Sequence, residues 1–238
     1  MQNLDLVLIG FGNVGRAFAS LLEKKGDLLQ QQYGLSARIV GILTGRHGGA
    51  LDSGGIDIAR AESLLQAGES LLGLTRTAPP DTTQGFIRAS GAHVMLENTP
   101  VNYETGQPAI AHIKTALLAG MHAITANKGP VVHAYRQLSE LAAEQNRKFF
   151  FESAVMDGAP IFSLWRNSLP GAKLRSFRGL LNSTTNLILT LMEDGKSLEE
   201  AIRTAQEIGI AETDPSGDLE GWDAAVKIAA LTTVLMEH

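Results

Sequence analysis

Residues 4–25 read LDLVLIGFGNVGRAFASLLEKK, and this stretch decides the fold. The apolar run at 4–9 is typical of a buried parallel strand, and 16–25 carries apolar side chains at helical spacing. GFGNVG, at 10–15, matches the G-x-G-x-x-G turn that holds a dinucleotide pyrophosphate against a helix N-terminus, although such a turn can also serve packing alone. We therefore predict a Rossmann-type unit, with cofactor contacts from Gly10, Gly12, Asn13, Val14 and Gly15.

Strands and helices continue to alternate downstream, which predicts a parallel α/β sheet with right-handed crossovers. The glycine-rich residues 45–55 predict a flexible loop. The remaining pattern predicts strands at 37–43, 93–96, 122–125 and 148–152, and helices at 108–119 and 134–146.

The second half of the chain has a different texture. It predicts a strand at 174–181 and helices at 185–193, between Ser197 and Gly209, and at 223–236. We expect a Rossmann domain over residues 1–135 and a second, α+β domain over 136–238 that binds substrate and forms a dimer.

The composition excludes several kinds of protein. A net charge of −5 at pH 7 gives no electrostatic reason to expect nucleic acid or an anionic membrane as a partner. The absence of cysteine excludes disulfides, thiolate nucleophiles and cysteine-ligated metals. Because every apolar run is too short for a bilayer span and no signal-peptide pattern opens the chain, we expect a cytoplasmic protein that acts on a small molecule.

The end of the second predicted strand bears on the choice of cofactor. An acidic residue there favours NAD, whereas an arginine nearby accommodates the 2′-phosphate of NADP. Thr44 and Arg46 follow the strand, and no acid occurs before Asp52. Arg46 can clamp a phosphate and Thr44 can donate to it, so we predict NADP, with NAD as the alternative. An exposed loop arginine without this role is the competing interpretation.

Three further stretches carry specific motifs. They are NTPVNYETGQPA (98–109) with TANKGP (125–130), ESAVMDGAPI (152–161) with GLLNSTTN (179–186), and GIAETDP (209–215) with DLEGWDAAVK (218–227). In this order, and from about residue 4 to the last residue, they resemble homoserine dehydrogenase. The resemblance implies interconversion of L-homoserine and L-aspartate 4-semialdehyde with NAD(P), in the pathway to threonine, isoleucine and methionine.

The resemblance also implies catalytic roles. Lys227 matches the family's proton-transferring lysine, and Glu212 and Asp223 match the residues that hold the substrate. Lys128 matches a second lysine, at the junction of nicotinamide and substrate.

Further positions match cofactor and cation contacts of the family. Thr99 and Gly209 match residues that contact the cofactor. A monovalent cation, usually sodium, is implied at four positions that bind it largely through backbone carbonyls: Glu152, Val155, Asp157 and Ala159.

The chemistry of the residues supports these roles independently. Asp223 and Lys227 are spaced i, i+4 and share one helix face, where they can grip an alcohol and move its proton. The hydride of an alcohol oxidation belongs to the nicotinamide. Lys128 follows the predicted strand at 122–125, at the edge where parallel sheets bind ligands. The competing interpretations are a surface salt bridge for the pair and a solvated loop lysine for Lys128.

The loop after the predicted strand at 174–181 is open to two interpretations. Asn182 and Thr184 either contact the substrate or cap the following helix, and the residues alone favour neither. Ser183 stands where the family usually has glycine, and we expect it to narrow the pocket.

The C-terminal end departs from the family pattern. Members normally continue well past the helix of Asp223 and Lys227, whereas this sequence ends at His238. We expect a homodimeric enzyme that is minimal or truncated, without a regulatory ACT domain for inhibition by threonine. The alternatives are a non-catalytic homologue that retains nucleotide binding or dimerisation, and a different amino-acid dehydrogenase of the same architecture.

Overall fold

The structure, a computed structural model, describes residues 2–76, 78–211 and 214–236. The chain divides into two compact units, Met1–Ala154 and Val155–His238. The boundary predicted at 135/136 falls inside the helix Lys128–Glu144, which packs against other elements of the first unit. The division therefore lies further along the chain than the sequence pattern indicates.

The first unit contains a six-stranded sheet within the described residues. Its strands are β1 (Gln2–Ile9), β2 (Leu35–Leu43), β3 (Gly49–Leu51), β4 (Val94–Glu97), β5 (His122–Thr125) and β6 (Phe149–Phe150). They lie in the order β3-β2-β1-β4-β5-β6, and all neighbours are parallel except β2 and β3. This arrangement confirms the predicted Rossmann-type α/β class.

β3 lies where we predicted a loop, and that part of the prediction is wrong. The backbone N–H of Thr44 donates to the carbonyl of Gly48 and turns the chain back along β2. β3 then pairs antiparallel with β2, from Gly49 opposite Leu43 to Leu51 opposite Gly41. The glycines that suggested flexibility are part of a tight hairpin.

Helices connect the strands. They are α1 (Asn13–Tyr33), α2 (Ile58–Gln66), α3 (Thr83–Ala89), α4 (Ala109–Leu118) and α5 (Lys128–Glu144), with a 3₁₀ turn at Leu71–Leu74. α1 begins directly after the glycine turn. It ends at Gly34, whose φ of +64° lets its N–H donate to the carbonyl of Gln30 and close the last turn.

β1 is the central strand that positions the ligand crevice. Its last four residues, Leu6–Ile9, are at most 5% exposed, which means that both faces of the strand are covered there. A strand covered on both faces does not alternate apolar with polar residues. The chain passes from β1 to β2 on one side and later returns to β4 on the other. Open α/β sheets bind ligands at the carboxyl ends of the strands where the order reverses in this way. The glycine turn that follows β1 lies at this point.

The second unit is helical within its described residues. Its elements are α7 (Ile161–Ser168), α8 (Ser183–Glu193), α9 (Leu198–Glu207), α10 (Ser216–Leu219) and α11 (Trp222–Leu235), and the short α6 (Ser153–Met156) spans the division. The Ser197–Glu200 capping box opens α9 as predicted. Ile188, Ala201, Ala205 and Ala211 form a small core where α8 and α9 meet.

The strand predicted at 174–181 is wrong, because these residues form neither strand nor helix. A strand needs a neighbour that satisfies its backbone N–H and C=O groups. No other described residues of the second unit form a strand that could pair with this segment.

None of the helices in residues 2–76, 78–211 and 214–236 is both long enough and apolar enough to cross a membrane.

Candidate functional site

The glycine turn has a backbone that only glycine fits at two positions. Gly10 has a φ of +92°, and a Cβ there would lie 2.5 Å from the carbonyl oxygen of Asn98. A Cβ on Gly15 would lie 2.9 Å from the carbonyl oxygen of Gly10. These contacts are too short for any side chain, so the two glycines let β1, α1 and the loop after β4 approach one another.

Gly12 is exposed and forms the N-cap of α1. A Cβ on Gly12 would meet nothing within 4 Å, so close packing does not require a glycine at this position. No side chain caps the helix, and its first N–H groups, including those of Asn13 and Val14, have no acceptor within the helix. Free N–H groups at a helix N-terminus suit a pyrophosphate, and the open space at Gly12 gives that group access to the backbone.

Asn98 carries a further polar atom beside this turn. Its Nδ2 is buried and lacks a hydrogen-bond partner among the described residues. It lies 3.6 Å from the position that a Cβ on Gly15 would take. A buried donor without an acceptor is costly in the absence of a ligand or water. The turn and its surroundings therefore fit the phosphates of NAD(P).

The hairpin between β2 and β3 distinguishes Thr44 from Arg46. The Thr44 hydroxyl donates to the Gly48 carbonyl and accepts the N–H of His47, both at 2.9 Å. Its proton is therefore engaged within the hairpin, which makes Thr44 the weaker candidate for a phosphate contact. Arg46 is exposed at the tip of the same hairpin, where its guanidinium is accessible to a ligand.

Thr99 and Lys128 follow neighbouring strands and are joined through Asn127. Asn127 caps α5, since its Oδ1 accepts the N–H of Gly129 at 2.9 Å. Its Nδ2 donates to the carbonyl of Thr99 at 3.1 Å. Lys128, the first residue of α5, is thus held at the carboxyl edge of the sheet together with the loop of Thr99.

In the second unit, Lys227 is fixed by two acceptors. Its Nζ lies 2.7 Å from Asp223 Oδ2, one turn earlier on α11, and donates to the Leu181 carbonyl at 2.7 Å. Both side chains of the pair are largely buried, with exposures of 19% for Lys227 and 14% for Asp223. The pair is therefore no solvated surface salt bridge, the alternative that the sequence left open.

Asn182 connects this pair to a residue that the sequence analysis missed. Its Oδ1 accepts the N–H of Thr185 at 2.8 Å and caps α8. Its Nδ2 donates to Asp223 Oδ2 at 3.0 Å and to Asp218 Oδ1 at 2.6 Å. Asp218 belongs to the cluster because α10 packs against α8. No local sequence pattern predicts that contact.

A cavity of about 370 Å³ lies beside this cluster. Lys227 and Asn182 line it, together with Asp157 and Ser183. A space of this size accommodates a small amino acid, and its polar groups converge from three segments of the chain.

The structure describes two other predicted substrate or cofactor contacts of the second unit, Thr184 and Gly209. Thr184 is buried, and its hydroxyl donates to the Ile210 carbonyl at 3.2 Å, which ties α8 to the loop after α9. Gly209 follows α9 with a φ of +76°. Glu212 lies outside the described residues.

The predicted sodium positions follow β6. Val155 is buried, Asp157 has a φ of +47°, and the N–H of Ala159 donates to the Met156 carbonyl at 2.8 Å. Glu152 belongs to the first unit and the other three to the second. In the part of the chain that the structure describes, no three His, Asp or Glu side chains group to hold a metal ion, so a cation here depends on backbone carbonyls. The sodium site stays a prediction.

Comparisons with known proteins agree along the whole chain. Residues 10–152 match the family model described as homoserine dehydrogenase, NAD binding domain, and residues 160–238 match the model described as homoserine dehydrogenase. The homoserine dehydrogenase of Methanocaldococcus jannaschii is 37% identical over 234 residues, which cover 98% of this chain and 69% of that protein. The NAD(+)-dependent homoserine dehydrogenase of Pseudomonas canavaninivorans is 33% identical, over 100% of this chain and 67% of that protein.

Solved structures show the same relationship. A hyperthermophilic archaeal homoserine dehydrogenase in complex with NADPH superposes with a TM-score of 0.83 at 30% identity and covers 98% of this chain, which spans 70% of that one. A protein described as a putative homoserine dehydrogenase from Archaeoglobus fulgidus gives a TM-score of 0.82 at 26% identity, over 99% of this chain and 69% of that one.

Proposed function

The chain belongs to the homoserine dehydrogenase family, and from this premise we propose that it interconverts L-homoserine and L-aspartate 4-semialdehyde. It is an NAD(P)-dependent oxidoreductase of amino-acid biosynthesis, in the branch that leads to threonine, isoleucine and methionine. The observation that carries the proposal for this chain is the buried contact of Lys227 with Asp223 beside the cavity of about 370 Å³.

Lys227 is the proton-transferring group of the proposed reaction. When the aldehyde is reduced, the Lys227 ammonium donates a proton to the oxygen that becomes the hydroxyl of homoserine, and in the oxidation the proton returns. The bound nicotinamide supplies or accepts the hydride. Asp223 and the Leu181 carbonyl hold the Lys227 ammonium in place, so it needs no reorganisation before the transfer.

The substrate is proposed to bind at the cluster around Lys227. Asp223 and Asn182 stand beside Lys227, and Asn182 also restrains the Asp218 carboxylate. Glu212 and Lys128 keep the substrate-binding roles that the family resemblance implies for them. Thr184 is the weakest of the proposed substrate contacts, because its hydroxyl proton is engaged with the Ile210 carbonyl.

NADP is the proposed cofactor. The turn Gly10–Gly15 would hold the pyrophosphate through the N-terminal N–H groups of α1, and the exposed Arg46 would pair with the 2′-phosphate. Thr99, Lys128 and Gly209 are further proposed cofactor contacts.

We also propose that the protein is a cytoplasmic homodimer. Three leucines of the second unit support a dimer, because Leu164, Leu169 and Leu180 are 58%, 45% and 77% exposed and line an apolar cavity of about 270 Å³. Exposed apolar surface of this kind marks interaction sites, subunit interfaces among them. Light scattering behind size-exclusion chromatography tests this proposal, and a monomer at micromolar concentration would contradict it.

The test of the proposed function is an absorbance assay at the NADPH band. We expect the wild-type protein to reduce NADP⁺ with L-homoserine, and Lys227→Ala to lose activity by a factor of about 10³ while still binding NADPH. Activity that survives Lys227→Ala would refute the assignment of Lys227. NADPH binding without turnover of homoserine would favour a non-catalytic homologue, and turnover of another amino alcohol instead would favour a different dehydrogenase.

A further inference from the structure

Glu97 is a buried carboxylate at the carboxyl edge of the sheet to which no role has been given above. It is the last residue of β4 and is 0% exposed. It follows an apolar strand, where a fully buried charge is expensive unless several groups satisfy it. Its burial at this edge indicates that it holds neighbouring groups in place.

The Glu97 carboxylate accepts hydrogen bonds from residues at the ends of two neighbouring strands. Oε1 accepts the backbone N–H of Thr99 at 3.1 Å and also the Thr99 hydroxyl. The Thr125 hydroxyl lies 3.0 Å from Oε2 and 3.1 Å from the backbone carbonyl oxygen of Glu97, so both of its acceptors belong to this residue. Thr99 lies in the loop after β4 and Thr125 ends β5, so one side chain ties together the ends of two neighbouring strands.

Thr125 passes this restraint on to the start of α5. Its hydroxyl oxygen accepts the backbone N–H of Asn127 at 3.0 Å. Asn127 in turn caps α5 and donates to the carbonyls of Thr99 and Pro100, at 3.1 Å and 3.4 Å. The contacts form a closed ring of Glu97, Thr125, Asn127 and Thr99, and Lys128 is the next residue after it.

The Glu97 side chain closes the ring because both of its carboxylate oxygens accept. His112, on α4, adds a nearby ring nitrogen, since its Nδ1 lies 3.6 Å from Glu97 Oε1. That nitrogen is buried and makes no hydrogen bond to a described residue, so it adds no direct restraint to the ring.

We propose that Glu97 is a positioning residue for cofactor binding: its carboxylate sets the Thr99 loop and, through Thr125 and Asn127, the first turn of α5 with Lys128. The inference rests on the proposed NAD(P) site. In this view the buried charge is retained because both cofactor loops depend on it. Removal of the carboxylate loosens Thr99 and Lys128 together, although neither of them is changed.

The test measures NADPH affinity by fluorescence titration at a temperature well below the melting transition. Glu97→Met keeps the length of the side chain and removes both carboxylate oxygens, so the Thr99 and Thr125 hydroxyls lose their acceptor on it. Thr125→Val removes the hydroxyl at the other end of one of these contacts. Each variant is expected to raise the Kd of NADPH about tenfold or more, the loss of at least one hydrogen bond to a charged group.

The double variant separates positioning from general destabilisation. If Glu97 acts through Thr125, the double variant raises the Kd about as much as Glu97→Met alone, and Thr125→Ser restores it to within about twofold of wild type. Leu138→Val is the matched control, since Leu138 is fully buried in α5 and lies beyond the break in this helix at Ala134, on the far side from Lys128. It should lower the melting temperature and leave the Kd unchanged.

The possible failures can be told apart. Wild-type protein that binds no NADPH would refute the proposed function itself. Wild-type affinity in Glu97→Met would refute the positioning role alone. Fully multiplicative effects in the double variant, or an equal loss of affinity in Leu138→Val, would also refute it, because the effects would then follow stability and not the ring.

Discussion

Lys227 Nζ lies 2.7 Å from Asp223 Oδ2 on α11 and 2.7 Å from the carbonyl oxygen of Leu181. An ammonium has three N–H groups, so these two acceptors leave one for a substrate oxygen. Asp223 is itself held by Asn182 at 3.0 Å, which fixes the carboxylate as well as the lysine. The direction in which Lys227 can donate is thus determined by the fold before any substrate binds.

Asp223→Asn tests this arrangement. The amide keeps the shape and can still accept from Asn182, but it removes the charge that holds the Lys227 ammonium. We expect kcat with homoserine to fall by about 10² while the melting temperature changes little. Steady-state kinetics and thermal denaturation check both parts. Asp194→Asn, an exposed carboxylate at the end of α8, is the control and should leave kcat unchanged.

Asn182→Asp is expected to separate helix capping from substrate binding. Aspartate caps a helix as well as asparagine does, so the N–H of Thr185 keeps its acceptor. The substitution removes the donors to Asp218 and Asp223 and places a third carboxylate beside them. We predict that the KM for homoserine rises about tenfold or more, because the two substrate-side carboxylates repel the new one and shift. Asn182→Ser, which retains the cap without the charge, should be less impaired, and the reverse order would contradict the prediction.

Alanine at position 10 is expected to lower the folding stability, whereas alanine at position 12 is expected to weaken NADPH binding. Gly10→Ala forces a side chain into a φ of +92° and against the backbone of Asn98, so it should cost about 3 kcal/mol or more of folding free energy. Gly12→Ala meets no neighbour and should cost only about 1 kcal/mol. Its methyl group covers the N-terminus of α1, however, and should raise the Kd of NADPH about tenfold or more. Urea denaturation and NADPH titration of both variants distinguish the two effects.

The first unit could be predicted from the sequence because its signals are local. The glycine turn, the strand before it and the helix after it occupy adjacent residues, and His122–Thr125 forms the predicted strand. The ring around Glu97 escaped the same reasoning. A glutamate at the end of an apolar run shows nothing of its burial, which depends on Thr125 from the next strand.

The second unit could be predicted less well because its contacts are distant in sequence. Asn182 and Asp218 are 36 residues apart and meet at 2.6 Å. The segment at 174–181 was predicted as a strand, but a strand forms only where another chain segment pairs with it. The i, i+4 spacing of Asp223 and Lys227 predicted the contact between their side chains, since a helix brings those positions together whatever surrounds it.

Arg46→Ala is expected to change the choice between NADP⁺ and NAD⁺. Arg46 is exposed at the tip of the β2–β3 hairpin, whereas the Thr44 hydroxyl is engaged with Gly48. We predict that the ratio of kcat/KM for NADP⁺ to that for NAD⁺ falls about tenfold, the loss of one charged phosphate contact. Arg76→Ala, which removes an exposed arginine paired with Asp52, is the control. An unchanged ratio in Arg46→Ala would assign the 2′-phosphate to another group.

His122 is expected to make the folding stability of the first unit depend on pH. It opens β5, and its Nδ1 accepts the backbone N–H of Lys148 at 3.0 Å, on the side of β5 that pairs with β6. Burial, and to a smaller extent the positive charges of Arg147 and Lys148, hold the pKa of His122 below its ordinary value. Protonation would also place a donor on Nδ1 opposite an N–H that needs an acceptor.

Stability is therefore expected to fall in acid, and His122→Asn should reduce that fall. The unfolded chain takes up the His122 proton near its ordinary pKa of about 6.5, whereas the folded protein takes it up only at lower pH. The contribution of His122 is full above about pH 6.5 and is lost as the pH falls through the lowered folded pKa. Asparagine can accept the Lys148 N–H through Oδ1 and does not titrate. Melting temperatures at pH 7.5 and 5.5 should thus differ by a few degrees less in His122→Asn than in wild type, and equal differences would contradict the assignment.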